Sequence, residues 1–548
     1  MKALVLDIET NSTISLIWCC VTEDVDTGEV ICHTEPQSLG CLIEKYDIVI
    51  GHNLIGFDAP VLNRLWSVGI KRSQATDTLT MSRLLNPVLE GGHSLRAWGE
   101  RLGDSKIDFT DYDGGLTDEM VKYCKQDVHL TVQLYKTLME HLSHWRDGAA
   151  CLLLEQQVAI ECGKQERNGF AFDIPKAQVL LATLSDRMGT IEDEMQAIFD
   201  PIIEERWSEK TGKRLKDKIT IFNPGSRKQI GERLISLGWK PQKFTETGQA
   251  IVDETILDAV TIPEAQVIGE YLMIQKRVGL LNSWLLNVQD DGRIHGRVNT
   301  LGTVTGRMSH NKPNLGQIPS LNKPYGQECR ELFTVEDGHV LVGTDLAGIE
   351  LRCLAHYMQD DEWTEALLNG DIHQKNADAA GVSRPTAKTM VYALLYGCGI
   401  TKLASILETN NKEANLVLFN FYKNTPNLRK LMDKIQKIAT KGYVPSLNGG
   451  RIQVRHDHAA LNTLLQGCGA TIAKQWCVTA HRNLRLAKIP AKQVAIVHDE
   501  IQIEVPVEYA EQVAEIMVAS AKEAGEQLGF RVPVDAEAKI GKNWYETH

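Results

Sequence analysis

Apolar and polar positions along the chain switch between two rhythms, and the switches mark out its elements. Around residues 339–358, Val340 and Val342 alternate with Leu341 and Gly343, which predicts a short strand running up to Asp345. After a break at Ala347-Gly348, the residues Ile349, Leu351, Leu354, Ala355 and Met358 recur at helical spacing, so a helix leaves the same point. In 494–505 two apolar runs flank His498-Asp499-Glu500. Ile501, Ile503 and Val505 then alternate with Gln502 and Glu504, predicting a tight hairpin with Asp499 at its tip. Near the start, residues 3–6 lead as a strand into Asp7-Ile8-Glu9. Its two carboxylates share one face while Ile8 packs on the other.

Further helices follow from the same periodicity. They span 152–167, stopped by Gly169, then about 174–199, 270–285 and 456–476. Asn223-Pro224-Gly225 makes a turn that Ser226 follows as a helix cap. Residues 206–218 carry six Lys or Arg against two acids. They read either as a solvated loop or as a grip on phosphates. Residues 296–319, rich in Gly, Asn, Thr and Pro, read as loop.

Bulk numbers narrow the classes. A chain of 548 residues is too long for one core and suggests about three or four domains. No run of 18 apolar residues and no secretory start appear, which places the expected protein in a cytoplasm and off the membrane. The 12 Cys show no CxxC spacing and read as free thiols rather than a zinc framework. A net charge of −12 does not exclude nucleic acid, because a metal-dependent phosphoryl-transfer site concentrates carboxylates while phosphate contacts need only a local basic groove.

The candidate chemistry lies in acids that the pattern sets at strand ends. Asp345 and Asp499, if their strands are neighbours, can hold two divalent ions ~3.5–4 Å apart, the arrangement of in-line phosphoryl transfer. A second set is Asp7 with Glu9, then Asn53 and Asp58 after an apolar strand, then Tyr123 and Asp127 one helical turn apart. Two carboxylates side by side repel unless a cation neutralises them. Elsewhere Ser383 caps a helix, Pro385 sits in its first turn and Gly397 ends it. Within it Arg384, Lys388, Tyr392 and Tyr396 are four apart on one face. Two cations followed by two aromatics suit a nucleoside triphosphate lying along the positive end of the helix.

These segments carry a resemblance. TDLAGIELR and VHDE resemble the first and third polymerase motifs of family A DNA polymerases, the bacterial DNA polymerase I group. RxxxKxxxYxxxYG with DIH upstream resembles the second, and TGRMSHNKPNLGQIP matches a further stretch. Within the family the chain most resembles the replicative polymerases of short-tailed bacteriophages. DxE, NxxxFD and YxxxD, in that order, resemble proofreading 3′–5′ exonucleases of the ribonuclease-H-like fold.

The resemblance implies an α/β, right-hand polymerase fold behind an exonuclease domain. Residues 1–145 would be the exonuclease and 146–295 the thumb; 296–360 and 441–548 would form the palm, and 361–440 the fingers. Asp345, Asp499 and the carbonyl of Leu346 would bind two Mg2+ ions, for which Mn2+ can substitute. Asp7, Glu9, Asp58 and Asp127 would bind two more, with Tyr123 orienting the attacking water. Arg307, Asn314, Gln317, Asn462, Gln466 and His498 would touch primer and template. His373, Arg384 and Lys388 would bind phosphate oxygens, Lys388 also protonating the leaving pyrophosphate. Glu350 would exclude a ribose 2′-hydroxyl, Tyr392 would admit dideoxynucleotides, and Tyr396 would pack near the templating base. Glu500 would assist without being a strict ligand, Arg330 would support the site, and the last His would lie close to it.

Implied partners are primer-template DNA and deoxynucleoside triphosphates, with a monomeric enzyme and no membrane. About twenty residues stand where coliphage relatives carry a thioredoxin-binding insertion, so no thioredoxin partner is expected. Nothing precedes Asp7 that resembles the 5′-nuclease domain of bacterial members. Two rival readings are an exonuclease with an inactive polymerase half and a single-subunit RNA polymerase. Intact Asp345, Lys388 and Asp499 weigh against the first, and Glu350 with the exonuclease motifs against the second.

Overall fold

The computed structural model describes residues 2–548, Thr255 by its backbone alone. It divides into two compact units. The first comprises Met1–Phe170, His295–Gln317 and Val335–His548; the second comprises Ala171–Ile294 and Ile318–Thr334.

In the first unit the amino-terminal residues build a five-stranded sheet. Its order is Val30–His33, Ile17–Asp24, Ala3–Thr10, Ile48–Gly51, Ala75–Asp77. The first three strands are antiparallel, and the last two run parallel to the central one. Alternation along Ala3–Thr10 explains its placement. Leu4, Leu6 and Ile8 pack with Leu39, Ile43, Leu54 and Leu62 on one face. Ala3 and Val5 meet Cys124, Val128 and Val132 of the Asp118–Ser143 helix on the other. Asp7 and Glu9 continue that second face by the two-residue period, so they are carried toward Asp127 of the same helix.

A second sheet runs Lys492–Val497, Glu500–Pro506, His339–Leu346, Ala536–Gly541, all antiparallel. Val340, Val342, Ile501 and Ile503 share a core with Trp476, Val513 and Met517 from the helices Ala460–Leu486 and Ala510–Gln527. The opposite face carries Asp345, Glu500 and Gln502, and the last residues of the chain cover part of it, where Thr547 donates to Gln502 at 2.9 Å.

The helix Gly148–Asn168 packs against Ala460–Leu486 and Lys492–Val497. Sequence motifs alone group it with the thumb; its buried residues lie in the first unit. Glu155 accepts from Lys474 Nζ at 2.7 and 2.8 Å with both side chains buried. The neighbouring Gln156 accepts from the amide of Asp77 at 3.1 Å. Glu161, 1% exposed, meets Arg72 at 2.5 Å, Arg485 at 2.8 Å and Lys164 at 3.3 Å.

The second unit holds the helices Ile174–Ile198 and Pro263–Asn287, joined by a two-pronged Arg187–Glu270 pair at 2.9 and 2.8 Å. Ser226 caps its helix as expected, accepting from Gln229 at 3.4 Å. Two loop expectations are corrected. Residues 206–218 lie in a two-stranded hairpin, Ile202–Trp207 with Arg214–Thr220, exposed along nearly its whole length. With neither face buried it shows no apolar alternation, and its charges mask it. Residues 296–319 contain a short ladder of Arg297–Asn299 with Ser309–Asn311, its strands too brief for a periodic signal. Among the described residues, no helix is long and apolar enough to cross a membrane.

Candidate functional site

The strand His339–Leu346 delivers Asp345 to a position opposite Glu500 in the ladder. The hairpin turn brings Asp499 beside it, and Leu346 N donates to the carbonyl of Asp499 at 3.0 Å. His498, at the tip, takes a φ of 59°, a conformation that a non-glycine side chain adopts at a cost of about 1–3 kcal/mol. Gly348, at φ 57°, starts the helix Ile349–Met358 directly after the strand, and this places Glu350 in its first turn.

Like charges crowd here. Burial, then Asp499 and Glu500, push the carboxyl of Asp345 up to about 7. Burial, then Glu350, push Asp499 up to about 6. Burial also acts on Glu500, but donors outweigh it: His548 at 3.3 Å, Gln502 at 2.7 Å and the indole of Trp544 hold it below the usual range. The oxygens of Glu500 are thus already engaged by neighbouring donors. His548 lies where the resemblance put the last His.

Glu350 joins this centre to the helix Arg384–Leu395. It accepts from the Tyr396 hydroxyl at 3.2 Å and meets Arg307 at 3.6 Å. That helix is capped by Ser383 and opens with Pro385, as its sequence predicts. His373 lies near Tyr392 with ring centres 6.3 Å apart, and burial with Lys388 and Arg384 nearby lowers its pKa. Arg384 itself pairs with Asp371 at 2.7 Å, and Lys388 is exposed. A cleft lined by Arg307, Ile349, Ala470, His498 and Asp499 adjoins the acids. Asn462 and Gln466 bond each other at 2.9 Å one turn apart on their helix, and Asn314 braces its own loop through Gly316 at 3.1 Å while Gln317 is exposed. Arg330 is buried in the second unit, donating to the carbonyl of Pro319 at 3.1 Å.

The second group of acids also converges. Asp58 opens the helix Asp58–Trp66 and accepts from Ile8 N at 3.3 Å, so it reaches the peptide between Asp7 and Glu9. Burial, then Asp127, push Asp7 up to about 7; burial, then Asp7 and Asp127, push Glu9 up to about 9. Burial, then Asp7, raise Asp58, and burial raises Asp127. Burial and Asp127 keep the Tyr123 phenol well above its usual range, so it stays a donor. Asp127 Oδ1 is buried without a partner, while Oδ2 is taken by Lys106.

Three residues here carried no sequence signal. Lys106 comes from an irregular stretch and also lies 4.6 Å over the Tyr123 ring. Asp77 holds the amides of Asn53 and Ile55 at 3.0 Å each, fixing the turn before Asp58. Cys124 places Sγ 3.6 Å from Asp7 Oδ2. His129, exposed on the same helix, lies 3.6 Å from the buried Glu23.

Two clusters of mutually repelling carboxylates thus stand at sheet ends, an arrangement that suits divalent-metal phosphoryl transfer. The sequence profile described as DNA polymerase family A matches residues 200–546. The chain is 30% identical to the DNA-directed DNA polymerase of Escherichia phage T7 and 31% identical to that of Enterobacteria phage T3, each alignment covering 100% of both chains. Its fold superposes on the POL domain of Pol1 from M. smegmatis in complex with DNA primer-template and dNTP. That match has a TM-score of 0.83 at 20% identity and covers 99% of this chain and 95% of that one. The chain belongs to DNA polymerase family A and has its right-hand polymerase fold.

Proposed function

We propose that the protein extends a primer 3′ end on a DNA template with deoxynucleoside triphosphates, and removes misplaced nucleotides in a separate 3′–5′ exonuclease centre. The observation that carries the reading is that Asp345, opposite Glu500 in the ladder, and Asp499, whose carbonyl accepts from Leu346 N at 3.0 Å, meet at the end of one sheet, both carboxyls raised by burial and by neighbouring acids. Uncompensated, such crowding is unfavourable, and divalent cations relieve it. The donors are all oxygen, the set magnesium takes.

Asp345, Asp499 and the Leu346 carbonyl would hold the ions of the polymerase centre. Asp7, Glu9, Asp58 and Asp127 would hold those of the nuclease centre, where the orphaned Asp127 Oδ1 fits a cation. When bound, the ions supply charge neutralisation and acidify an oxygen nucleophile. The chain's own groups do the rest. Lys388, Arg384 and His373 engage phosphate oxygens, and Lys388 can donate a proton to departing pyrophosphate. Glu350, braced by Tyr396 and Arg307, stands against the sugar 2′ position. Arg307, Asn314, Gln317, Asn462, Gln466 and His498 line the path of the primer terminus and template. Tyr123 donates toward the water that attacks a terminal phosphodiester.

The division of labour we propose is exonuclease in 1–145, palm in 296–360 and 441–548, fingers in 361–440, and thumb in 146–295 apart from the helix Gly148–Asn168, which packs within the first unit. The test is primer extension with magnesium, with and without the four deoxynucleotides. Wild-type protein lengthens the primer in their presence and shortens it without them. Asp345→Ala retains only shortening, and Asp7→Ala only lengthening. Loss of both activities in either variant, or lengthening with Asp345→Ala, overturns the assignment.

A further inference from the structure

The helix Pro426–Ala439 turns one row of residues inward and another outward. Leu428, Leu431, Ile435 and Ala439 are buried where it packs on the helices Ile349–Met358 and Ala460–Leu486. On the opposite side Lys430, Lys434 and Lys437 stand at i, i+4 and i+7, and Lys441 follows just past the helix end, all four exposed. The one acid of this helix, Asp433, is paired with Arg429 at 3.1 Å. Among the described residues no carboxylate forms an ion pair with any of the four lysines. Like charges one turn apart weaken a helix, and the helix dipole favours cations only at the carboxyl end, by Lys437 and Lys441. Folding therefore gives no reason for the whole row, in a chain whose net charge is −12.

The row runs on toward the catalytic cleft. The carbonyl of Gly442 accepts from the amide of Val454 at 3.0 Å, which brings the exposed Arg455 to the Lys441 end of the helix. His456 and His458 come next, both exposed, their rings 5.4 Å apart between centres and parallel to within 2°. The short turn Asp457–Ala459 packs on the same helix and leads directly into Ala460–Leu486, whose first two turns carry Asn462 and Gln466.

We propose that Lys430, Lys434, Lys437 and Lys441, continued by Arg455 and the stacked His456 and His458, form a track on which the uncopied template strand lies as it approaches the cleft. Two features select single-stranded DNA over other polyanions. The helical cations follow one another about 5–6 Å apart at their roots, so their long stems reach successive phosphates of a flexible strand. The ring pair offers a flat face to a base that is free to stack, which an acidic peptide lacks and a closed duplex keeps inside. The track rests on the reading of Asn462 and Gln466 as part of the template path, and it carries that path onto the outer face of the helix Pro426–Ala439.

The test is equilibrium binding by fluorescence anisotropy, using full-length protein without added divalent metal so that no strand is cut or extended. Primer-templates carry either a short 5′ overhang or one long enough to pass Lys430. Wild type binds the long overhang roughly tenfold more tightly. Lys430→Gln, Lys434→Gln, Lys437→Gln and Lys441→Gln, combined in one variant, keep the affinity for the short overhang, which reports that the variant is folded, and lose the gain. The log–log salt dependence on the long overhang falls by about three, since each single-strand phosphate contact carries about 0.7. Equal affinity of wild type for the two overhangs, or a gain that survives in the variant, refutes the track. A poly-glutamate peptide held by wild type and lost by the variant, with no overhang effect, gives the row to an acidic protein instead. If wild type does not bind even the short-overhang primer-template, the polymerase reading falls. A single-stranded oligothymidylate then decides the track alone: tighter binding by wild type than by the variant supports it, and equal binding refutes it.

Discussion

Leu346 donates its amide hydrogen to the carbonyl of Asp499 at 3.0 Å, so the residue after one central aspartate is bonded to the backbone of the other. The two acids therefore keep their spacing through main-chain geometry rather than through side-chain contacts. Ladder bonds of this kind survive side-chain replacement, so substitution of either carboxylate removes charge without moving its neighbour.

Tyr396→Phe removes the hydroxyl that bonds Glu350 at 3.2 Å and leaves the ring in place. A net hydrogen bond is worth about 1 kcal/mol, so ribonucleotide exclusion weakens roughly fivefold. On the proposed reading Glu350 stands against the 2′ position, so Glu350→Ala weakens exclusion further. Competitive incorporation of ribo- and deoxynucleotides measures both, and an equal effect of the two variants contradicts the bracing role.

Tyr392 is half-buried on the same helix face, near His373 and the charge of Glu350. On the proposed reading its hydroxyl stands in for the 3′-hydroxyl that a dideoxy sugar does not carry. Tyr392→Phe then raises discrimination against dideoxynucleotides, checked by termination ratios on a single template. Identical ratios for the two proteins would overturn this role.

Glu161 supplies an acid-sensitive fastening. Burial alone would raise its carboxyl, but His481, Arg72 and Lys164 outweigh that and bring it from 4.5 to about 2. Burial lowers the pKa of His481 itself, so the permanent charges of Arg72, Lys164 and Arg485 carry the pairing at neutral pH. A lowered carboxyl favours the folded state above its unfolded value, and that support drains away as pH falls from 4.5 toward 2. The shift corresponds to about 3 kcal/mol. Urea midpoints across this window should fall less steeply for Glu161→Gln than for wild type.

The Lys474–Glu155 pair is buried at both ends, with 3% and 7% exposure. Lys474→Met leaves an unpaired carboxylate and costs about 3–5 kcal/mol of stability, whereas joining it to Glu155→Leu recovers most of that loss. Denaturant unfolding of the single and double variants decides the matter, and equal losses would sink it.

Much of this architecture is legible in the order of residues. Asp345, Asp499, Asp7 and Glu9 lie on or beside strands buried on both faces, where the apolar run announces the strand and the two-residue period the side on which each acid falls. Ser383 and Pro385 announce their helix because capping is local chemistry. Three things are hidden for physical reasons. The hairpin Ile202–Thr220 has no buried face and hence no pattern. Lys106 reaches Asp127 from a stretch without periodicity. The approach of Cys124 to Asp7 depends on which helix covers the sheet, a tertiary fact that no neighbouring residues encode.

Glu155 and Gln156 are consecutive, yet one is bonded to the helix behind Asp499 and the other to the strand end that shapes the turn before Asp58. A single rod thus serves as mounting for both workshops. On the proposed reading, in which the second cluster trims strands, the frayed nucleic-acid end is what travels, since both clusters are bolted to the same beam.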